Sequence, residues 1–392
     1  MRTVKWSAFL AGLYGFAVVL GLMAASARAD VTTERGASIV IFPKVIVAGD
    51  YDTVIQITNI SNDLVYARCF YVNAQLTKPE EPEHPILNPP LWLETDFNIR
   101  LTRKQPTHWV ASSGRGVNPF DTGCASDKWK TPACCDMYSC PAEGIDLNET
   151  GIDPGAVPPV VEDFIGELKC VEVDASGTPI GGNHLKGEAT IKGGDGDESD
   201  VSKYNAIGIE GTDLAGAAGD DLWLNNRQDI GGGMYNACPA RLILNHFAEG
   251  AENPVAGEGS SVSTELTIVP CSQNFEDQIP ATVTLQFKVY NEFETPFSTS
   301  TSVTCWKNIK LTDIGPSNVF DYDTLGSTVA QTYITPADAP DGGFIGVAEE
   351  FHSLSNTTGA VSRAAFNIHT EGDRFFGEDG TQFDRVILSG VQ

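Results

Sequence analysis

The chain has 392 residues, 41% of them apolar, enough to build a sizeable core, and its formal net charge is −27. A field of that sign repels nucleic acid and anionic lipid headgroups, which excludes DNA-binding and peripheral-membrane roles. It favours solubility and cation binding instead.

The N-terminus carries Arg2 and Lys5, an apolar run from about Ala8 to Ala25, and Ala27-Arg28-Ala29 before Asp30. A basic start, a short apolar core and a small-x-small site describe a secretory signal peptide over residues 1–29. The run is close to the shortest that spans a bilayer, but an acidic start after Ala-x-Ala fits cleavage better than a retained helix. Its removal takes away three basic residues and no acidic ones, leaving a net charge of about −30. No cysteine sits at the cleavage point, no second spanning-length apolar run appears, and "DRVILSGVQ" at the C-terminus is no tail anchor. The expectation is an exported protein of the periplasm, cell surface or extracellular space, without membrane insertion after cleavage.

Strand signals follow in chain order. "TVIQIT" (53–58) and "TVTLQFKVYN" (282–291) alternate apolar and polar residues, the pattern of a sheet with one face in a core. Further strands are predicted at 38–42, 64–72, 97–102, 107–111, 167–173, 184–191, 204–209, 240–247, 263–269, 301–306, 329–334, 344–348 and 363–368. Turn-rich stretches separate them, such as "NISND" (59–63), "DASGTPIGGN" (174–183) and "PADAPDGG" (336–343). No helical apolar spacing extends beyond two turns. The predicted class is all-β with antiparallel sheets, in two modules: 30–191, interrupted by a Cys-rich insertion at about 112–165, and 238–392. A Gly- and Asp-rich connector, 192–237, joins them. One continuous large sandwich is the alternative.

Within the first module, "ASIVIFPKVIV", "YDTVIQITNIS", "LVYARCFYVNA", "FNIRLTRKQPTHWV", "GELKCVEVD" and "NHLKGEATI" give about seven strands between residues 37 and 191. Their number and spacing resemble the immunoglobulin-like or fibronectin-like β-sandwich modules of exported bacterial surface proteins. The resemblance covers about a third of the chain and implies a β-sandwich. It also makes the third and sixth strands sheet neighbours, which implies a Cys69–Cys170 disulfide.

Disulfides are the default state of cysteine pairs in an oxidising compartment. Cys271 and Cys305 flank a strand–turn–strand stretch that folds its ends together, so that pair is expected to bond. Cys124, Cys134, Cys135 and Cys140 lie within "DTGCASDKWKTPACCDMYSC", residues 121–140. Zinc sites favour close pairs such as C-x₂₋₄-C, and the spacing here is unlike that. A disulfide staple suits a long loop with too few apolar residues to order itself. Cys238 either pairs into that loop or stays a buried thiol.

No catalytic signature is present: there is no HExxH, G-x-S-x-G, P-loop or dinucleotide fingerprint. His246, at the end of a strand pattern, is expected to be a satisfied structural histidine. Asp195, Asp197, Glu198 and Asp200 in "GGDGDESD", and Asp379 and Asp384 in "GEDGTQFD", are hard oxygen donors in Gly-rich loops and are weak Ca²⁺ candidates. The first begins like an EF-hand loop but has Asp200 at the glycine position and Ala206 at the terminal Glu position. Glu292 and Glu294 could pair as glycosidase acids. Trp92, Trp109, Trp129 and Tyr138 read as core or loop anchors rather than a sugar platform.

The reading is a structural or binding protein, non-catalytic, whose working surface is the 112–165 insertion and whose partner is a protein or a glycan. A secreted hydrolase with a site between the modules, and a subunit of a surface filament or layer, are the alternatives. Homo-oligomerisation through exposed sheet edges belongs to the last.

Overall fold

A computed structural model of the chain describes residues 31–77, 90–117, 153–193, 201–217, 219–225, 234–252, 257–316, 318–337, 342–353, 361–374 and 384–390. These residues form five sheets. Sheet 1 runs β1 (Val31–Thr32), β10 (Ile207–Ile209), β2 (Ile39–Val47), β7 (Phe164–Val173), β4 (Val65–Asn73), β5 (Leu93–Leu101). Sheet 2 runs β6 (Pro106–Val110), β3 (Asp52–Asn59), β8 (Leu185–Lys192), β9 (Val201–Asn205). Sheet 3 is small: β11 (Asp221–Leu224), β22 (Asp384–Ile387), β14 (Gln273–Asn274). Sheet 4 runs β16 (Pro296–Thr304), β15 (Thr282–Asn291), β18 (Val329–Pro336), β12 (Pro239–Phe247), β21 (His369–Asp373). Sheet 5 runs β17 (Lys307–Lys310), β13 (Ser261–Pro270), β19 (Phe344–Ser353), β20 (Val361–Asn367). Among the described strand pairs, β14 with β22 is parallel and the others are antiparallel. Among the described residues a short α-helix, α1 (Tyr322–Leu325), ends at Gly326 in the left-handed conformation that lets glycine close a helix.

The all-β, antiparallel expectation therefore holds, but the immunoglobulin-like sandwich does not. Five sheets adopt a propeller-like arrangement instead. The seven strands expected between residues 37 and 191 are present as β2 to β8, yet β8 pairs with β3 while β7 pairs with β2 and β4. That order is not the immunoglobulin one. Spacing along the chain specifies strands, whereas pairing depends on which edges meet in space.

Sheet 1 is buried on both sides, which explains the near-continuous apolar runs of β2, β4 and β7. On one side Tyr71 and Phe97 meet Trp109 of sheet 2, whose indole N–H donates to the Tyr71 hydroxyl at 2.5 Å. On the other side Phe70 stacks on Phe275, just after β14, at 4.8 Å between ring centres. A second core joins Leu242, Leu244, Leu285 and Phe287 of sheet 4 to Leu266, Ile268 and Ala348 of sheet 5.

Pro43 breaks the pairing of β2 with β7, and the register shifts between Phe42 and Val45. A proline cannot donate to a ladder, so it is found at bulges. The Tyr204 hydroxyl takes up the freed backbone, accepting from the Lys44 amide at 3.0 Å and donating to the Lys44 carbonyl at 2.7 Å. The Pro43 carbonyl accepts the Trp306 indole N–H at 2.6 Å. Thus the bulge fastens the first half of the chain to the second.

Cys69 and Cys170 face each other directly across β4 and β7 and are disulfide-bonded. Cys271, expected to join Cys305, instead bonds Cys238. Cys305 is a buried free thiol in a left-handed backbone conformation. The strand–turn–strand stretch does fold back, but Cys271 lies between β13 of sheet 5 and β14 of sheet 3, where it meets Cys238 just before β12. The expected staple of Cys124, Cys134, Cys135 and Cys140 lies outside the described residues, as does the signal peptide. Two disulfides point to an oxidising compartment. Among the described residues no helix is long and apolar enough to cross a membrane.

Candidate binding groove

Alternation along sheet 4 decides the chemistry of its outer face. In β15, Val283, Leu285, Phe287 and Val289 point into the core, which leaves Gln286, Lys288 and Tyr290 outward. The same period in β12 and β18 turns Arg241 and Asn245, and Gln331 and Tyr333, to the same side. Antiparallel register places Tyr333 opposite Lys288 and Gln331 between Tyr290 and Asn245. These side chains line a groove of about 1480 Å³, to which Phe297 and Ser298 of the edge strand β16 also contribute.

The groove has an aromatic centre and a polar surround. Tyr290 and Tyr333 meet edge to face at 6.0 Å. The Arg241 guanidinium lies over Tyr333 at 5.8 Å and the Lys288 ammonium over Tyr290 at 5.2 Å, so each ring is held by a cation on the sheet. Gln331 donates to the Asn245 side-chain oxygen at 3.0 Å. At the rim, the β15–β16 turn is set by Asn291. Its side-chain oxygen accepts from the Phe293 and Thr295 amides at 3.0 and 2.9 Å, and its amide donates to the Leu325 carbonyl at 2.7 Å. Phe293, at the turn tip, is 73% exposed.

Beneath the groove sits His246, fully buried. Its Nδ1 faces the Phe247 carbonyl at 2.8 Å and its Nε2 the Thr332 hydroxyl at 2.9 Å. A carbonyl only accepts, so Nδ1 carries the proton and Nε2 accepts from Thr332. Burial drives the imidazole down to about 4, and its hydrogen bond to Phe247 opposes this. It is a structural histidine.

The remaining sequence candidates are dispersed. Glu292 and Glu294 lie on the exposed turn at the groove's rim, with Glu294 in the left-handed region, so they do not share a strand face. Trp92 and Trp109 are core anchors, Trp92 stacking on Phe275 at 6.0 Å, while Trp129 and Tyr138 lie outside the described residues. Asp195, Asp197, Glu198, Asp200 and Asp379 also fall outside them. Asp384 is buried in β22, accepting from the Gly343 amide at 2.7 Å and the Ser272 hydroxyl at 2.8 Å beside Arg374. Burial raises its carboxyl, with Arg374 pulling the other way. Its oxygens are thus engaged by protein donors. Among the described residues no group of His, Cys, Asp or Glu is placed to hold a metal ion. The 112–165 insertion is described only at its ends, where Arg115 grips Asp153 at 2.7 Å and bridges backbone to backbone with Val157.

The sequence reading missed the groove. Its signal was the outward set Gln286, Lys288 and Tyr290 in a strand noted only for its apolar face. No protein-family model matches the chain, and no curated protein matches it. Among solved structures, a protein described as Thermotoga maritima 1070 is similar at 8% identity, over 35% of this chain and 98% of that one. The TM-score is 0.24, too low to say anything of fold or function.

Proposed function

We propose that this is an exported, disulfide-stabilised protein that works by binding, and that the outer face of sheet 4 receives a neutral or weakly charged glycan chain. The observation that carries this reading is the pair Tyr290 and Tyr333 set among Gln286, Asn245 and Gln331. Flat aromatic faces pack on the apolar faces of sugar rings, and carboxamides both donate to and accept from hydroxyls. The ordered turn at Asn291 presents Phe293 beside the groove without loop closure, so little ordering entropy is lost on binding.

Affinity electrophoresis against a panel of neutral polysaccharides tests it. The wild type should be retarded by at least one, and the Tyr290→Ala/Tyr333→Ala variant should lose the retardation at unchanged thermal stability. Retention by none of the panel, or undiminished retention of the variant, overturns the reading. Release of reducing sugar on incubation, lost in Glu292→Gln or Glu294→Gln, would favour the hydrolase alternative.

A second reading follows from β16. "PFSTSTSVT" is a nine-residue strand at the end of sheet 4 with no charged residue, and an uncharged edge is a template for another strand. Concentration-dependent assembly, suppressed by Ser300→Lys, would support a filament or layer subunit.

A further inference from the structure

The two faces of β7 do different things. Leu168 and Cys170 point toward sheet 2. Glu167 and Lys169 point the other way and are completely buried. There, 104 residues further along the chain, Lys169 meets Gln273. The Lys169 Nζ donates to Gln273 Oε1, and the Gln273 Nε2 donates to Glu167 Oε1. The second carboxyl oxygen, Glu167 Oε2, is buried with no hydrogen-bond partner. Apolar rings wall in the three groups: Phe275 lies 5.6 Å from Lys169 Nζ, stacked between Phe70 and Trp92.

We propose that this constellation is an autocatalytic cross-linking site, in which Lys169 and Gln273 form an intramolecular isopeptide bond with Glu167 as the proton-transfer catalyst. An amine and a carboxyl that both contact one carboxamide, sealed from water, are the complete set of reactants for amide exchange. The amine Nζ attacks Gln273 Cδ, and the Nζ–Cδ bond forms as the Cδ–Nε2 bond breaks. Glu167 delivers a proton to Nε2 and receives one from Nζ, so ammonia departs and the carboxyl is regenerated. No oxidant, metal or external acyl donor is consumed. Water exclusion suppresses the competing hydrolysis of the carboxamide, and fixed contact replaces an intermolecular encounter. The protonation states suit the task. Burial lowers Lys169 toward the neutral, nucleophilic amine, opposed by the Glu167 charge, and burial raises Glu167 toward the proton-bearing acid, opposed by Lys169 and the Gln273 amide.

The position gives the bond a purpose. Lys169 is the neighbour of Cys170, and Gln273 is two residues from Cys271. An isopeptide bond would therefore link the Cys69–Cys170 and Cys238–Cys271 disulfides into one covalent path from β4 through β7 to the start of β12. The two halves of the chain would stay joined even under reduction.

Intact mass spectrometry of the wild-type protein, reduced and denatured, tests the proposal. The expected result is a deficit of one ammonia against the sequence mass of the exported chain. After proteolysis, the Lys169 and Gln273 peptides should be recovered as one branched species. Glu167→Gln keeps both reactants and should restore the full mass with two separate peptides. A wild-type protein of full mass with unlinked Lys169 and Gln273 peptides overturns the proposal. The Cys305 thiol lies within the field of both Glu167 and Lys169, so a deficit that hydroxylamine reverses, with Cys305 protected from alkylation, would mark a thioester and overturn it as well.

Discussion

Lys44 and Glu349 come from opposite ends of the chain and meet at 2.7 Å, with 3% and 2% of their side chains exposed. Glu265 stands 3.2 Å from the same ammonium, and Arg363 lies 3.7 Å from Glu349. Burial alone would raise the Glu349 carboxyl. The pull of Lys44, then Ser202 and Arg363, is greater and holds it below the usual range. The bulge at Pro43 aims the lysine across the junction, so a local backbone irregularity decides how the halves are joined.

Removing one partner of a buried pair strands the other charge in a low-dielectric site. Lys44→Met should cost about 3 kcal/mol in denaturant unfolding. Adding Glu349→Leu to Lys44→Met should recover part of that loss, because the stranded carboxylate is then gone.

His246 should make the fold acid-sensitive. Its imidazole titrates near 4 in the folded protein and near 6.5 when unfolded. The unfolded chain therefore binds more protons between those values, and stability falls as pH drops through that window. Relative to His246→Gln, the wild type should lose about 3 kcal/mol between pH 6.5 and 4. Thermal melts of both proteins across that range measure it. A constant difference would mean that the ring is charged or exposed in solution.

Glu249 should act with the opposite sign. Its carboxyl is buried, accepts the Thr264 amide at 2.7 Å, and is pushed up to about 7, first by desolvation. Here the folded state holds the extra proton, so stability is fully present below pH 4.5 and is lost as pH rises through 7. The stability gap between Glu249→Gln and the wild type should shift in favour of the variant over that interval. Melts at pH 4.5, 6 and 8 read the trend.

The two disulfides should differ in weight. The Cys69–Cys170 bond closes a separation of 101 residues and the Cys238–Cys271 bond one of 33. In the chain-entropy model the longer loop stabilises by about 1 kcal/mol more, so Cys69→Ala/Cys170→Ala should melt lower than Cys238→Ala/Cys271→Ala. Cys305 is inaccessible, and burial and the Glu167 charge push its thiol well up. Peptide mapping after iodoacetamide should find it unlabelled in native protein and labelled after denaturation.

The sequence by itself determined where the strands lie. "TVTLQFKVYN" becomes β15 over its full length, and "TVIQIT" falls inside β3. Alternation is a local property, because neighbouring side chains on an extended backbone must point to opposite faces. The same alternation also told which side of β15 would be buried. It could not tell what would cover it, nor that the exposed side would carry the groove. Cys69 and Cys170 pair as expected, but most of the pairing was beyond reach for the same reason. Cys271 bonds Cys238 where the chain passes from β13 of sheet 5 to β14 of sheet 3, and nothing in "PCSQNF" announces that. "GELKCVEVD" likewise reads as a strand with four ordinary charged residues, Glu167 and Lys169 among them. Only the tertiary structure buries Glu167 and Lys169 on its second face and brings Gln273 from more than a hundred residues away to meet them, because a sheet covered on both sides must find partners for most of the polar groups it encloses.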